Sequence, residues 1–165
     1  RIIGRENKIP WRLLDDLVSL RKLTKDHAVI LGRKTYESML FYYERSGKQM
    51  PGKVYVVVTR NTEYQPARDD AVAVYSVDEA LAVARKFDDT VMVIGGATIY
   101  EAMLPHTDRI YMTEVQTQAE GDVYFPQLDT AVCTRLPANT TTKTTATNTI
   151  TTRSSSKSAT NSSRR

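Results

Sequence analysis

Three short apolar runs constrain the fold of this chain more than any other feature of its sequence. They are Ala28–Leu31, Val54–Thr59 and Val91–Ile94. Runs that are apolar at consecutive positions are typical of strands covered on both faces of a sheet. Helical patterns alternate with these runs, near Asp15–Thr24, Thr35–Tyr43, Val77–Lys86 and Ala97–Leu104. The alternation predicts an α/β fold in which helices flank a mainly parallel sheet.

The net charge of +4 comes from the end of the chain rather than from its main part. From Leu136 onward there are five basic residues and no acidic ones, which leaves 18 of the 23 basic residues against 19 acidic ones. A nearly neutral domain lacks the basic surface that binds nucleic acid. No apolar run reaches the roughly 18–20 residues of a membrane span. We therefore expect neither a nucleic acid nor a membrane as a partner.

Cysteine and histidine are too scarce for disulfides or a metal site. Cys133 is the only cysteine, which excludes a disulfide within one chain and fits a reducing compartment. His27 and His106 lie far apart without metal-ligand spacing, and we expect both to be solvated surface residues. The sequence thus predicts a cytoplasmic protein with no bound metal.

The composition changes at about Leu136. From Asn139 onward the chain is mostly Thr and Ser, with no aromatic residue and Ile150 as its one large aliphatic residue. Such a stretch buries too little apolar surface to offset its ordering entropy. We predict a domain at 1–135 and a basic, disordered tail at 136–165. The sequence favours a reading-frame shift near Cys133 as the origin of this stretch, because Thr codons (ACN) read one base earlier become NAC codons for His, Asp, Tyr or Asn. The alternative is a genuine Thr/Ser tail.

One carboxylate lies on an apolar helix face. In the pattern Asp15–Thr24, Asp16 shares a face with leucines at helical spacing, which are Leu13, Leu17, Leu20 and Leu23. A carboxylate among apolar side chains is costly unless it is hydrogen-bonded, which makes Asp16 a candidate acid or substrate anchor. The alternative is that Asp16 only serves the helix N-terminus, where acidic residues are common.

Glycine turns and basic residues follow the predicted strands. The turns are Gly32-Arg33-Lys34-Thr35 and Gly95-Gly96-Ala97-Thr98, and Arg60 follows the third strand. Glycine lets a phosphate approach the backbone, and ligands of open α/β sheets collect outside the carboxyl ends of the strands. Basic residues at these ends suit a ribose 2′-phosphate, hence NADP rather than NAD. The alternative for each turn taken alone is a tight connection between strand and helix.

Residues 1–128 resemble bacterial dihydrofolate reductases almost continuously. The similar segments are RIIGRENKIPW (1–11), DDLVSLRKLT (15–24), VILGRKTYES (29–38), MPGKVYVVVTR (50–60), VMVIGGATIYEAMLP (91–105), RIYMTEV (109–115) and EGDVYFP (120–126). Their occurrence in the same order is far more specific than any one of them. The resemblance implies a mixed, eight-stranded sheet flanked by helices, and the NADPH-dependent reduction of dihydrofolate to tetrahydrofolate.

The resemblance implies a substrate pocket around Asp16. Asp16 would bind the pterin and promote protonation at N5, with Thr113 in the same network and Trp11 holding a water beside it. The other implied substrate contacts are Leu17, Leu20, Arg21, Met39, Met50, Lys53, Ile94 and Tyr100. The implied partners are the small-molecule substrate dihydrofolate and, in a complete protein, antifolates, and the implied state is a monomer.

The resemblance also implies how NADPH is held. Residues Ile3–Ile9 would form a mobile loop that closes over the nicotinamide and excludes water. The implied cofactor contacts are Ile3, Gly4, Asn7, Ile9, Gly32, Arg33, Lys34, Thr35, Val58, Thr59, Arg60, Ile94, Gly95, Gly96, Ala97, Thr98 and Ile99. The hydride would then pass to the pterin C6 and a proton to N5.

The sequence departs from the family at both ends and at one binding residue. The family's first, central strand has no counterpart before Arg1, and the Thr/Ser tail lacks the pattern of its last two strands, so we expect a sheet without these strands. Lys53 stands where the family usually has an arginine, which predicts weaker binding of the glutamate tail. The alternatives to a folate reductase are a catalytically inactive, truncated binder of nucleotide or antifolate, and a pyrimidine reductase of the riboflavin pathway.

Overall fold

The computed structural model describes residues 1–129 and, for the backbone alone, 133–135, 139–142 and 145–152. They belong to two units, Arg1–Leu104 with Gln118–Gln127, and Pro105–Thr117 with Leu128–Arg165. The domain boundary predicted at residue 135 stays a prediction. Within the described ranges, no helix is long and apolar enough to cross a membrane.

The order of elements follows the predicted alternation of strands and helices. It is β1 (Ile2–Gly4), α1 (Leu14–Thr24), β2 (Ala28–Gly32), α2 (Arg33–Ser46), β3 (Val54–Val58), β4 (Ala71–Val74), α3 (Val77–Ala84), β5 (Val91–Val93), α4 (Ala97–Met103), a 3₁₀ turn (Leu104–His106), β6 (Arg109–Val115), β7 (Val123–Tyr124), β8 (Cys133–Arg135), β9 (Asn139–Thr142) and β10 (Thr145–Thr152). The three apolar runs are β2, β3 and β5. β4 was not predicted, although its four residues, AVAV, form an apolar run as long as Ala28–Leu31.

A four-stranded parallel sheet forms the centre of the first unit. Its strand order is β4-β3-β2-β5, with Gly32 opposite Val58 and Ile30 opposite Val93. β2 and β3 are buried at four of their five positions, as expected for strands covered on both faces. The α/β fold with helices flanking a parallel sheet is confirmed. Because the strands are parallel, the turns that follow them leave the sheet at one edge, which we call the carboxyl edge.

Each face of this sheet has its own apolar cluster. On one face the first cluster includes Ala80 and Ala84 of α3 with Ile99 and Met103 of α4. On the other face the second cluster includes Tyr36 of α2. Alternate residues of β2 and β3 enter opposite clusters, since successive strand side chains point to opposite faces.

The helix boundaries have local causes. Ser76 caps α3, because its hydroxyl accepts a hydrogen bond from the Glu79 amide at 3.1 Å. α2 ends at Ser46 and is capped by Gly47, whose φ of 64° is left-handed and whose amide donates back to the last turn of the helix. At the other end of α2, the N-cap residue is Gly32, which has no side chain to cap the helix. The first amides of α2 therefore face the carboxyl edge without a capping side chain.

A tight turn follows β1 near the start of the chain. Arg5 and Lys8 exchange backbone hydrogen bonds of 2.9 Å around Glu6 and Asn7, whose φ angles of 50° and 61° are typical of a type I′ turn. β1 pairs antiparallel with β7, and the Asp122 carboxylate accepts a hydrogen bond from the Glu6 amide at 3.2 Å. The segment predicted to close over the cofactor is thus anchored to the strand β7.

In the second unit, β6 pairs with a strand that the composition does not predict. β10 lies antiparallel to β6, from Thr145 opposite Val115 to Thr151 opposite Arg109, and β8 and β9 pair with β10. The structure here differs from the expectation of a disordered tail without the last strands. Threonine is β-branched and suits strands, and β6 offers backbone groups that require partners. The remaining residues of the predicted tail, and with them the rest of that prediction, lie outside the described residues.

Candidate active site

The two predicted glycine turns meet at the carboxyl edge. The Gly32 amide donates to the Gly95 carbonyl at 2.7 Å, and a Cβ at Gly32 would lie 3.2 Å from the Ile99 side chain. A Cβ at Gly96 would lie 3.5 Å from Oγ1 of Thr35. The two turns follow β2 and β5, which are far apart in the sequence, and together they form one site. Their glycines present backbone atoms without side chains.

Tyr100 of α4 packs directly on this site. Gly95 has a φ of 96°, and a Cβ there would lie 2.6 Å from the Tyr100 ring. The ring also contacts Phe125, with 5.0 Å between the centroids, and the Gly95–Gly96 peptide bond is cis. Burial, with a smaller contribution from the Asp16 carboxylate, raises the pKa of Tyr100 to about 12. The Tyr100 hydroxyl is therefore a neutral donor at physiological pH.

Asp16 lies in the first turn of α1, on the face that the leucine spacing predicts. Asp16, Leu17 and Leu20 are half-buried, whereas the neighbouring Asp15 is exposed. The Asp16 carboxylate is close enough to Tyr100 to affect the pKa of its hydroxyl. Asp16 is also one of two acidic residues in the first turn of α1, where a negative charge interacts favourably with the helix N-terminus. The two roles expected for Asp16 are therefore compatible.

Three predicted substrate contacts come together in the second cluster. Met50, in the segment before β3, is buried, and Met39 of α2 and Ile94 after β5 pack against the same cluster. The Ile94 amide donates to the Ile30 carbonyl at 3.1 Å, which holds Ile94 beside β2. An apolar surface thus adjoins the glycine turn at the end of β5.

The predicted phosphate-binding cations lie at the carboxyl edge with different partners. Nη1 of Arg33 donates to both carboxylate oxygens of Glu37, at 3.0 and 3.2 Å. Nζ of Lys34 donates to Oδ1 of Asn7 at 3.1 Å, which joins the predicted closing loop to the first turn of α2. Arg60, after β3, is exposed. Two basic residues therefore lie in the uncapped first turn of α2, and a third follows β3 at the same edge.

The remaining predicted cofactor contacts lie in several parts of the first unit. Thr59 is buried, and its hydroxyl accepts a hydrogen bond from the Asn61 amide at 3.1 Å. Ile99 belongs to the first cluster, and Val58 packs against it. Ile3 and Gly4 lie in β1, Ala97 and Thr98 begin α4, and Ile9 is 68% exposed. The cofactor contacts of these residues stay predictions.

Two basic residues predicted to bind substrate already have partners in the protein. Nη1 of Arg21 donates to the Gln49 carbonyl at 2.7 Å, and the guanidinium lies 6.0 Å from the Tyr43 ring. Nζ of Lys53 donates to the Phe87 carbonyl at 3.0 Å, in the loop after α3. Arg21 is therefore bound to the residue before Met50, which lies in the predicted pocket. The substrate roles of Arg21 and Lys53 stay predictions.

Trp11 and Thr113, the other implied catalytic residues, lie in different units. Trp11 is half-buried ahead of α1 in the first unit. Thr113 is half-buried on β6 in the second unit, opposite Thr147 of β10. Their predicted network with Asp16 stays a prediction.

His27 differs from the solvated surface residue that its polar turn predicts. Its Nδ1 lies 2.7 Å from Oδ2 of Asp88, which also accepts from the Ala28 amide at 3.3 Å. Hydrogen bonds, first from the Thr90 amide and then from His27, lower the pKa of Asp88. The partners lie 61 positions apart, so no local pattern indicates the pair. In the described part of the chain, no group of His, Cys, Asp and Glu is arranged to hold a metal ion.

Known proteins similar to this chain share one description. The family model described as dihydrofolate reductase matches residues 1–155. The dihydrofolate reductase of Bacillus subtilis is 36% identical over 131 residues, which covers 78% of this chain and 71% of the relative. Dihydrofolate reductase type 3 of Salmonella typhimurium is 37% identical over 125 residues, which covers 76% of this chain and 71% of the relative. A solved structure of the Enterococcus faecalis dihydrofolate reductase, complexed with NADP(H) and RAB-propyl, superposes with a TM-score of 0.76 at 27% identity and covers 92% of this chain and 89% of its own.

Proposed function

The chain belongs to the dihydrofolate reductase family, and we propose that it catalyses the NADPH-dependent reduction of 7,8-dihydrofolate to 5,6,7,8-tetrahydrofolate. The family model and the relatives carry this description, and the relative of known structure is complexed with NADP(H). The matches favour neither the inactive binder nor the riboflavin-pathway reductase. The chain is therefore an oxidoreductase whose cofactor is NADPH.

The half-buried carboxylate of Asp16, on the leucine face of α1, is the observation that carries the mechanism. One half-buried carboxylate and one neutral hydroxyl lie within electrostatic reach of each other. We propose that Asp16 binds the amino group and ring N–H of the pterin and promotes protonation at N5. Tyr100 would lie beside the reacting ring. Trp11 and Thr113 would complete the network, with apolar walls from Leu17, Leu20, Met39, Met50 and Ile94.

The carboxyl edge fits a doubly phosphorylated cofactor. The joined turns of Gly32 and Gly95 present bare backbone, and the start of α2 has no capping side chain. NADPH, when bound, supplies the hydride. We propose that the glycine turns approach the diphosphate, and that Arg33, Lys34 and Arg60 hold the phosphates and the adenosine end. The segment from Ile3 to Ile9 would close over the nicotinamide, with Asn7 bonded to Lys34 as it is here.

The test replaces Asp16 and uses its exposed neighbour as a matched control. Turnover is followed by the loss of NADPH absorbance in the presence of dihydrofolate. Asp16→Asn should lower kcat/KM about 10²–10⁴-fold at neutral pH, and less at low pH, where substrate that is already protonated bypasses the acid. Asp15→Asn, one residue away on the solvent side of α1, should keep the parent's activity. Equal activity of Asp16→Asn and the parent at neutral pH would contradict the assignment.

The same assay, together with the Tm measured with and without an antifolate, distinguishes an active enzyme from an inactive binder. A parent chain without turnover, whose Tm rises with an antifolate such as methotrexate, would support binding without catalysis. A parent chain that neither turns over nor is stabilised would mean that the site is not assembled. Turnover by the parent excludes both outcomes.

We further propose that the protein is a monomer that acts in the cytoplasm and is inhibited by antifolates. The single cysteine, Cys133, fits a reducing compartment. Light scattering after size-exclusion chromatography should give the mass of one chain, 18.6 kDa. A mass of two chains would contradict the monomer.

A further inference from the structure

The Arg33 guanidinium is held between two side chains from different elements. On one side, Nη1 donates to both oxygens of Glu37, one turn further along α2. On the other side, the central guanidinium carbon lies 5.7 Å from the centroid of the Tyr64 ring, in the segment after β3. Glu37 is a local i,i+4 partner that the sequence supplies. Tyr64 is a distant partner that only the fold supplies.

Tyr64 is itself held in place. Its amide donates to the Asn61 carbonyl at 3.2 Å, and its half-buried side chain packs against the second cluster, which contains Tyr36. Burial and the Glu37 carboxylate raise the pKa of Tyr64, whereas Arg33 lowers it. The ring, the carboxylate and the guanidinium therefore lie in one electrostatic environment.

The stacked pair stands at the carboxyl edge, where the adenosine end of the cofactor is proposed to bind. Gly32 and Val58 are opposite residues of β2 and β3, so the segments carrying Arg33 and Tyr64 leave the sheet side by side. Among the described residues, Nε and Nη2 of Arg33 donate no hydrogen bond within the protein. A planar guanidinium already stacked on a ring loses little further freedom when it binds an anion.

Resting on the proposed function, we infer that Tyr64 is a positioning residue that sets the preference for NADPH over NADH by holding Arg33 ready for the 2′-phosphate. The two cofactors differ only in that phosphate, so a residue acting through Arg33 alters the affinity for one and not the other. Loss of a partly exposed cation–π contact should weaken NADPH binding about two- to fivefold. NADH binding, and kcat at saturating NADPH, should stay as in the parent.

Isothermal titration of the full chain with NADPH and with NADH tests this inference. Tyr64→Phe keeps the ring face and should keep the parent's ratio of the two Kd values. Tyr64→Leu keeps apolar bulk without a ring and should lower the preference about two- to fivefold. Tyr64→Met serves as a second apolar replacement if Tyr64→Leu does not fold. In an Arg33→Ala background, Tyr64→Leu should have no further effect on the ratio.

The outcomes separate this inference from the proposed function. If Tyr64→Leu or Tyr64→Met keeps the parent's ratio, or weakens both cofactors equally, Tyr64 serves packing alone and the inference is wrong. A loss of preference that persists in the Arg33→Ala background would also overturn it, because the effect would not pass through Arg33. A parent chain that binds neither cofactor would contradict the proposed function as well.

Discussion

Replacing Gly95 by alanine tests how the glycine turn holds Tyr100. Gly95 has a φ of 96°, and an added Cβ would lie 2.6 Å from Cε2 and 2.8 Å from Cζ of the Tyr100 ring. The left-handed backbone costs a residue other than glycine about 1–2 kcal/mol. The ring is backed by Phe125, so it cannot yield freely, and overpacking of this kind costs about 1–3 kcal/mol. The free energy of unfolding should therefore fall by about 2–5 kcal/mol.

Gly47→Ala is the matched control, because it isolates the backbone cost from the clash. Gly47 also has a left-handed φ, 64°, but an added Cβ would meet no atom within 4 Å. Its loss should be about 1–2 kcal/mol in urea denaturation followed by circular dichroism, with an unchanged m-value. The excess loss in Gly95→Ala, about 1–3 kcal/mol, measures the contact with Tyr100. Equal losses for the two variants would refute the reasoning.

Two further predictions concern the buried tyrosines Tyr36 and Tyr55 and the carboxylate of Asp88. Tyr36 and Tyr55 are both fully buried, and burial raises the pKa of each to about 12. Among the described residues, the Tyr55 oxygen accepts a hydrogen bond from the Gly52 amide at 2.7 Å, whereas the Tyr36 oxygen has no partner. Tyr55→Phe should lower the free energy of unfolding by about 1–2 kcal/mol in urea, whereas Tyr36→Phe should leave it unchanged or raise it, and the reverse order would contradict this account. Asp88→Asn should cost about 1 kcal/mol at neutral pH, because the amide replaces a charged partner of His27. Because folding lowers the pKa of Asp88, the ionised carboxylate stabilises the protein above its ordinary pKa of about 4, and this stabilisation is lost as the pH falls through the folded pKa. The Tm difference between parent and variant should therefore shrink in acid. A constant difference would argue against the linkage.

The predicted elements that the structure confirms are those with a strong local pattern. β2, β3 and β5 are apolar at consecutive positions, and α1 and α3 repeat apolar residues at helical spacing, so these elements follow from hydrophobic periodicity. β4 has a comparable apolar run but was not predicted, and β7 has two residues, which is too short for such a pattern. The strand β10 follows from pairing with β6 rather than from any apolar pattern of its own.

The candidate site divides in the same way between local and distant information. Helical spacing alone places Asp16 on the half-buried face of α1, and the position of Arg33 and Lys34 after a strand places them at the carboxyl edge. The electrostatic effect of Asp16 on the Tyr100 hydroxyl depends on the position of α4, which carries Tyr100. No spacing within the sequence indicates which residue stacks on Arg33.

By itself, the sequence determined the alternation of strands and helices, the face of α1 that carries Asp16, and the cations at the strand ends, because each depends on neighbours within a few positions. Only the tertiary structure decided that the Gly32 and Gly95 turns join through one hydrogen bond of 2.7 Å, and that Tyr64 lies over Arg33. The tertiary structure also gives the partly exposed His27 a partner, Asp88, 61 positions away. These contacts join segments far apart in the chain, and their geometry follows from the parallel register and packing of the sheet, which no local pattern encodes.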